Sequence, residues 1–572
     1  MTEDLKSFYI AIVLSALVVV GVNYFMPQAE EEQTIAQEVA DIPTPVVDDT
    51  QNSEVVRQNN IVTDEQSTKK ELTEVSFEDV STVLAKDARL PVENDVLSGS
   101  IRLKGARFDH LLLTKYKQTL DEDSSYVELF KPAKTQNYFF SEYGWLSADS
   151  KVNVPNSNSV WSVIGNQRLT ADNPVKLEWH NGQGLKFIQD ISVDENYLFT
   201  VKQTVENNSG TEITLLPYGL LSKNLDKESI ARSVVHEGFT GVFDGKLQEI
   251  KFSSMDEKGK SFETTGGWIS LTDKYWLGSF IFSDTYQAKV NVRQIKEGTF
   301  QLDFKGMPMT VQSGSSVSVT SKIFAGAKEI KLLDTYAKDI NKFDLNVDFG
   351  WYYFLTKPFF YALDFLYGFL GNMGWAILLF AAILRLCMFP IANKSYVNMS
   401  KMKKIQPKVM ALQALYKDDK ATMQRATMEL YKREKVNPAA GCLPMFIQIP
   451  IFFSLYKVLN IAIELRHAPF IGWVKDLSAP DPLTISVWSH IPLPSMLDVG
   501  VWPLIYGLTM LIQNRLNPQP ANKDQARMFM LLPIVFTIMF AHFAVGLVIY
   551  WILNNVLSLI QQKIIMYKNG VK

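Results

Sequence analysis

The chain has little cysteine. Its two residues of this type, Cys387 and Cys442, lie in or beside apolar runs of a 572-residue sequence. No C-x-x-C and no Cys/His cluster occurs, which argues against a disulfide framework and against a zinc site, so neither a metal nor another cofactor is expected. Net charge is equally scarce, with 57 Lys/Arg against 60 Asp/Glu. That balance excludes an acidic disordered chain and a basic nucleic-acid binder, so no nucleic-acid substrate is expected. Charged residues make up 20%, slightly below the ~25% usual in soluble chains. The length is too great for one compact core at roughly 150 residues per domain. A mean hydropathy of zero conceals two populations, because long apolar runs cluster at the N-terminus and after residue 370.

Residues 1–26 contain SFYIAIVLSALVVVGVNYFM (7–26), long enough at 1.5 Å per residue to cross a ~30 Å hydrocarbon core. The n-region is weak and no clean A-x-A site follows, so the segment reads as an uncleaved anchor in preference to a cleaved signal peptide. From Pro27 to Val80 there are 14 acidic residues and three basic ones, which places that flank outside. Residues 27–75 lack a core-forming composition and read as a disordered acidic tether. Residues 76–327 carry short alternating strands punctuated by Gly, Asn and Asp, the pattern of a large all-β sandwich. Glu178 and His180 share a strand face there, with His110 and His236 elsewhere, but i and i+2 residues share a face in any strand. A structural role is favoured over a sugar-binding or catalytic one.

The strands stop near residue 328. Lys328–Asn346 reads as a short charged helix, and Trp351–Phe369 holds ten aromatics in 19 positions, which suits an interfacial helix within a linker spanning 328–371. Five further spans follow at 372–392, 442–463, 498–514, 528–544 and 546–566. The loop 393–441 holds 11 Lys/Arg and four Asp/Glu, whereas 464–497 holds only Arg466 and Lys475 as basic residues. A second basic loop at 515–527 and a short tail at 567–572 complete a consistent pattern. It gives six spans, both termini cytoplasmic and the β domain outside.

Arg385 stands about 13 residues from the outer end of its span, or ~20 Å at 1.5 Å per residue. A charge there costs at least ~2.5–3.5 kcal/mol on insertion scales. Gln448, Gln513, Asn514, Thr537, Asn554, Asn555, Gln561 and Gln562 are further polar residues in the spans. Together they suggest a hydrophilic recess open to the cytoplasm and sealed outside, with Arg385 facing it. Lys457, in the outer part of its span, is expected to snorkel outward. A pore needs polarity along its full depth, and a coupled transporter needs acidic relays or inverted repeats. None of these patterns is present. The basic loop reads as an antiparallel hairpin, 396–416 and 420–435, in which Pro407 kinks the first helix or starts a new one. Its positive residues include Lys401, Lys403, Lys404, Lys408, Lys417, Lys420 and Arg425.

Four stretches carry a resemblance: RLCMFPIANKSYVNMSKMKKIQPKV (385–409), LYKREKVNPAAGCLPMFIQIPIFFSLYKVL (430–459), ELRHAPFIGWVKDLSAPDP (464–482) and GLVIYWILNNVLSLIQQ (546–562). They resemble the YidC/Oxa1/Alb3 membrane protein insertases, and specifically the Gram-negative form. The resemblance implies a six-span α-helical membrane protein with a periplasmic, galactose-mutarotase-like β-supersandwich, located in the bacterial inner membrane. It implies a membrane protein insertase and chaperone, not an enzyme, acting alone or with the Sec translocon. Its clients would be nascent membrane proteins, taken from the cytoplasm into a groove open to lipid. Arg385, Gln448, Gln513, Thr537, Tyr550, Trp551 and Asn554 would form the groove, with Arg385 attracting acidic client residues. Trp551 stands where a second tyrosine is common among relatives, and Ala381 where some have threonine. The hairpin would receive clients and the signal recognition particle receptor. A ribosome contact through the tail is less favoured, since about six residues follow the last span. The competing readings are a membrane-anchored carbohydrate-active enzyme and a small-solute transporter.

Overall fold

The computed structural model of the protein describes residues 44–45, 77–226, 230, 235–416, 419–437, 443–494, 497–516, 523–568 and 570. The expected anchor lies outside the described residues, as does the tether apart from Thr44 and Pro45. Lys417 and Cys442 are outside them too, and so is the Lys420 side chain.

Between Arg89 and Ala327 the described chain is mostly strand, arranged as one sheet of ten strands and one of nine. Five adjacent strands of the larger sheet matter below. They are β1 (Arg107–Lys117), β2 (Phe139–Ser147), β3 (Ile213–Asn224), β4 (Gln287–Lys296) and β5 (Thr299–Gly306). Their spatial order is β1-β2-β3-β5-β4. The period-2 alternation of β5 sends Phe300, Leu302 and Phe304 to one face and Thr299, Gln301, Asp303 and Lys305 to the other. The aromatic face packs on the second sheet: Phe304 meets Phe280 at 5.0 Å, and Phe108 of β1 meets Phe199 at 5.6 Å. A Cβ at Gly219 would sit 2.5 Å from the Phe304 ring, so only glycine lets the ring lie this close to β3.

The helical region begins at the sandwich edge. The stretch 328–346, read as one helix, is a short helix at Ile330–Tyr336 followed by a 3-10 turn at Phe343–Asn346. Then come α1 (Tyr353–Leu370), α2 (Met373–Leu415), α3 (Lys420–Arg433), α4 (Leu443–Ile461), α5 (Val501–Leu516), α6 (Lys523–Phe540) and α7 (Val545–Lys568). The 43-residue α2 joins the second expected span to the first hairpin helix without a break. It continues through Pro390 and Pro407, where a kink or restart was expected. Among the described residues, α2 and α7 are long and apolar enough to cross a membrane, and 446–461 and 527–540 are shorter apolar helices. Trp351, Phe354, Phe365 and Phe369, on or beside α1, are all more than 70% exposed. Such an apolar surface suits lipid, not water.

Ion pairs and hydrogen bonds tie the linker and the sandwich to the helices. Lys457 of α4 does not point free into solvent; its Nζ meets Asp348 at 2.5 Å, and Asp348 also accepts from the backbone N of His236. Lys357 of α1 bridges Asp334 and Asp344, both at 2.8 Å. Arg466 donates to the Gln118 carbonyl at 3.0 Å and lies over the Trp276 ring. Beside it, burial pushes the Glu464 carboxyl up to about 7.

Candidate functional site

The last helix, α7, carries a polar stripe at helical spacing. Asn554, Ser558, Gln561 and Gln562, together with Asn555, are buried, while Ile560, Ile564 and Tyr567 are more than half exposed. This reverses the amphipathicity of a water-soluble helix, as a lipid-facing helix around a polar interior requires.

Three neighbours bond to that stripe or just beyond it. Arg385 of α2 donates through Nη2 to the Gln561 side-chain oxygen at 3.1 Å and to the Tyr396 hydroxyl at 2.9 Å. The Tyr396 ring also lies 5.9 Å from the guanidinium carbon, within cation–π range. Asn555 donates to Thr509 of α5 at 3.1 Å. Gln448 of α4 donates to the Tyr550 hydroxyl at 2.8 Å. Thus α7 is the common partner of α2, α4 and α5.

The Arg385 arrangement follows from helix geometry. Tyr396 is 11 residues further along α2, just over three complete turns, so both side chains leave the same face. Helical side chains lean toward the N-terminus, so Tyr396 leans back toward Arg385, which must extend along the helix to meet it. The guanidinium is therefore displaced toward the basic hairpin, and it is held there by neutral acceptors and no carboxylate. Its Nε is buried without a hydrogen-bond partner among the described residues. A charge so placed keeps donor capacity for an incoming anion.

Beyond Tyr550 the interior changes character. Trp551 lies against Phe452 (5.5 Å) and Phe540 (6.2 Å), Tyr506 against Phe540 (4.8 Å), and Tyr456 against Phe543 (5.5 Å). These rings pack together as an aromatic layer around the N-terminal half of α7.

The expected groove residues divide accordingly. Arg385 bonds Gln561 and Gln448 bonds Tyr550, both partners lying on α7, where Asn554 is also buried. Trp551 belongs to the aromatic layer, and its indole N–H has no partner among the described residues. Thr537 is spent locally: its hydroxyl donates to the Pro533 carbonyl on its own helix at 2.7 Å. It also abuts Gly507, where a Cβ would come within 2.2 Å of its oxygen. Gln513 is half-buried on α5 and is not drawn into these bonds. On the hairpin, Lys401, Lys404 and Arg425 are exposed, Lys403 is half-buried, and Lys408 pairs with Glu434 at 2.7 Å. Sequence reasoning missed Tyr396 and Thr509. The 11-residue spacing from Arg385 was the available signal for Tyr396; Thr509 had none, because one threonine in an apolar helix is common.

Two of the sandwich histidines are absorbed structurally, whereas His180 is exposed. His110 bonds Ser100, His236 bonds the Phe239 carbonyl, and Glu178 pairs across strands with Lys186.

Two family models match, YidC periplasmic domain over residues 89–362 and 60Kd inner membrane protein over 365–571. A membrane protein insertase YidC from Rickettsia canadensis is 42% identical over 98% of this chain and 99% of its own. Among solved structures, an active YidC insertase with its first transmembrane domain resolved matches at 18% identity. That match covers 83% of this chain and 92% of the other, with a TM-score of 0.36. A galactose mutarotase-like protein from Lactobacillus casei matches at 9% identity over 41% of this chain and 99% of the other, with a TM-score of 0.28.

Proposed function

The chain belongs to the YidC family of inner-membrane insertases with a periplasmic domain, and from that premise we propose how it handles a client. It is a membrane protein insertase. The observation that carries the mechanism is Arg385, held by Tyr396 and Gln561; in this reading it faces a recess open to the cytoplasm that the aromatic residues close outward. A client's hydrophilic segment enters this recess from the cytoplasmic side. Its acidic groups meet a cation paired only with neutral acceptors, so no resident carboxylate has to be displaced. The polar part of the path across the bilayer is thereby shortened, which lowers the barrier without a nucleotide. The client's apolar segment leaves along the exposed apolar faces of α2, α5 and α6, where Leu386, Leu508 and Ile534 project.

In this reading the chain crosses the inner membrane six times with both termini in the cytoplasm. The hairpin of α2 and α3, with Lys401, Lys403, Lys404, Lys408 and Arg425, first meets the client and the signal recognition particle receptor. The Sec translocon is a partner for larger clients. The sandwich performs no catalysis in this reading, in which His110, His236 and Glu178 are engaged in structural bonds.

The test is depletion and rescue with Arg385→Ala, scored by protease protection of clients with and without acidic translocated segments. Loss of the acidic class by tenfold or more, with Arg385→Lys largely active, is expected. Full rescue of both classes by Arg385→Ala defeats the arginine mechanism.

A further inference from the structure

The outward face of the larger sheet is polar and yet buried. Across β4, β5, β3 and β2 the cross-strand register aligns Asn291, Asp303, Leu220 and Glu142, and beside them Arg293, Gln301, Ser222 and Phe140. Asp303, Gln301, Leu220 and Ser222 have no accessible surface. A carboxylate in that setting must be hydrogen-bonded. Asp303 accepts from Asn291 Nδ2 at 2.9 Å and from Gln301 Nε2 at 2.9 Å. Its third donor comes from outside the sandwich: the Thr44 hydroxyl, 2.8 Å from Oδ2, with Thr44 itself buried. Gln301 Nε2 also donates to the Pro45 carbonyl at 3.3 Å.

We propose that this face of the sandwich is a binding site for an extended peptide, and that its occupant is the chain's own tether at Thr44–Pro45. The sequence suits the role. Thr44 precedes a proline and is therefore biased to extended backbone, and Pro43-Thr44-Pro45 is stiff before it docks, so little entropy is lost. Proline brings no N–H that would need a partner at a buried contact. Of the groups such a segment offers, Asp303 takes the threonine hydroxyl and Gln301 the proline carbonyl. Among the described residues, Gln301 Oε1 and Arg293 Nε and Nη2 are buried without hydrogen-bond partners, although Arg293 Nη2 forms an ion pair with Asp303 Oδ1 at 3.7 Å. The site therefore has hydrogen-bonding capacity beyond Thr44 and Pro45. The site is independent of the Arg385 recess, and insertion activity is not its readout.

The experiment uses the full chain in membranes, with Cys387 and Cys442 replaced by serine. Thr44→Cys is combined with Asn291→Cys and treated with a short bifunctional thiol crosslinker. The control partner is Thr310→Cys on the same sheet; its register partner Thr214 lies about 20 Å along β3 from Leu220. Crosslinking at least tenfold above the control is expected. Equal yields overturn the proposal. In a second arm, Asn291→Cys alone is labelled with an impermeant maleimide. Thr44→Lys lies on the tether and leaves the sandwich core untouched; it should raise the labelling rate tenfold or more. An unchanged rate overturns the proposal. So does a crosslink abolished by millimolar galactose, which would assign the face to a sugar.

Discussion

In the sandwich, Trp268, Phe280 and Leu302 are wholly buried, whereas in the helical region Leu386, Phe365 and Ile534 are more than half exposed and Asn555, Gln561 and Gln562 are buried. The two regions use the same residue types with opposite placement. Water surrounds the first, so apolar area is hidden and polar groups can lie outside. Lipid surrounds the second, so apolar area gains nothing from being hidden and polar groups must find each other. The difference teaches that exposure is meaningful only against a stated solvent. The sharpest way to break the comparison is to make the same kind of truncation in both regions. Phe304→Ala should destabilise the sandwich by about 3–5 kcal/mol, the usual loss for a buried aromatic. Ile534→Ala should change stability by less than about 0.5 kcal/mol, as at other uncommitted surfaces. Thermal unfolding in detergent reads both, and a large effect at Ile534 would mean that α6 is packed against protein.

This contrast explains what was legible in the sequence. Period-2 alternation in stretches such as β5 gave the all-β class, because apolar side chains on one face pack on the second sheet while polar ones take the other face. Arg385 was legible because a lone charge in an apolar run has few explanations. Its partners were harder. Gln561 was one polar residue among several, and Tyr396 lay beyond the expected end of the span, in a segment read as hairpin. The continuous helix α2 brings it back onto the same face, and helix continuity through Pro390 and Pro407 has no local sequence signal. The Thr44 contact was not legible, because it joins positions 259 residues apart.

A second way to sharpen the comparison is to remove one hydrogen bond from the Arg385 cluster. Bonds to a charged group contribute about 1.5–3 kcal/mol when buried. Gln561→Leu and Tyr396→Phe each leave the guanidinium one acceptor short. Each should lower insertion of clients with acidic translocated segments several-fold, less than Arg385→Ala, and spare clients without them. Equal loss in both client classes would make these residues structural supports and nothing more.

The junction between the regions offers a smaller, pH-dependent effect. Desolvation raises the Glu464 carboxyl to about 7, with Glu329 and Asp364 adding to the rise. The folded protein thus holds this proton more tightly than the unfolded chain. The associated stability is complete below about pH 4.5 and is lost as pH rises through about 7. Glu464 retains some exposure, so screening leaves about 1–2 kcal/mol. Melting temperature should fall between pH 5 and pH 8, and Glu464→Gln should flatten that part of the profile. A profile unchanged by the substitution would place the titrating group elsewhere.

The smallest effect belongs to the hairpin, which lies farthest from both patterns. Lys408 and Glu434 pair across α2 and α3 at 2.7 Å, with the lysine largely in solvent. Lysine holds the Glu434 carboxyl below its usual range, first through their hydrogen bond. Water and salt compete for such a pair, and ordering two long side chains offsets the attraction. A double-mutant cycle with Lys408→Ala and Glu434→Ala should therefore show coupling near zero at physiological salt, emerging only at low ionic strength. Strong, salt-insensitive coupling would mean that the hairpin shares the rigidity of the bundle. The hairpin would then present clients with a fixed surface, and delivery to the recess would need the bundle itself to move.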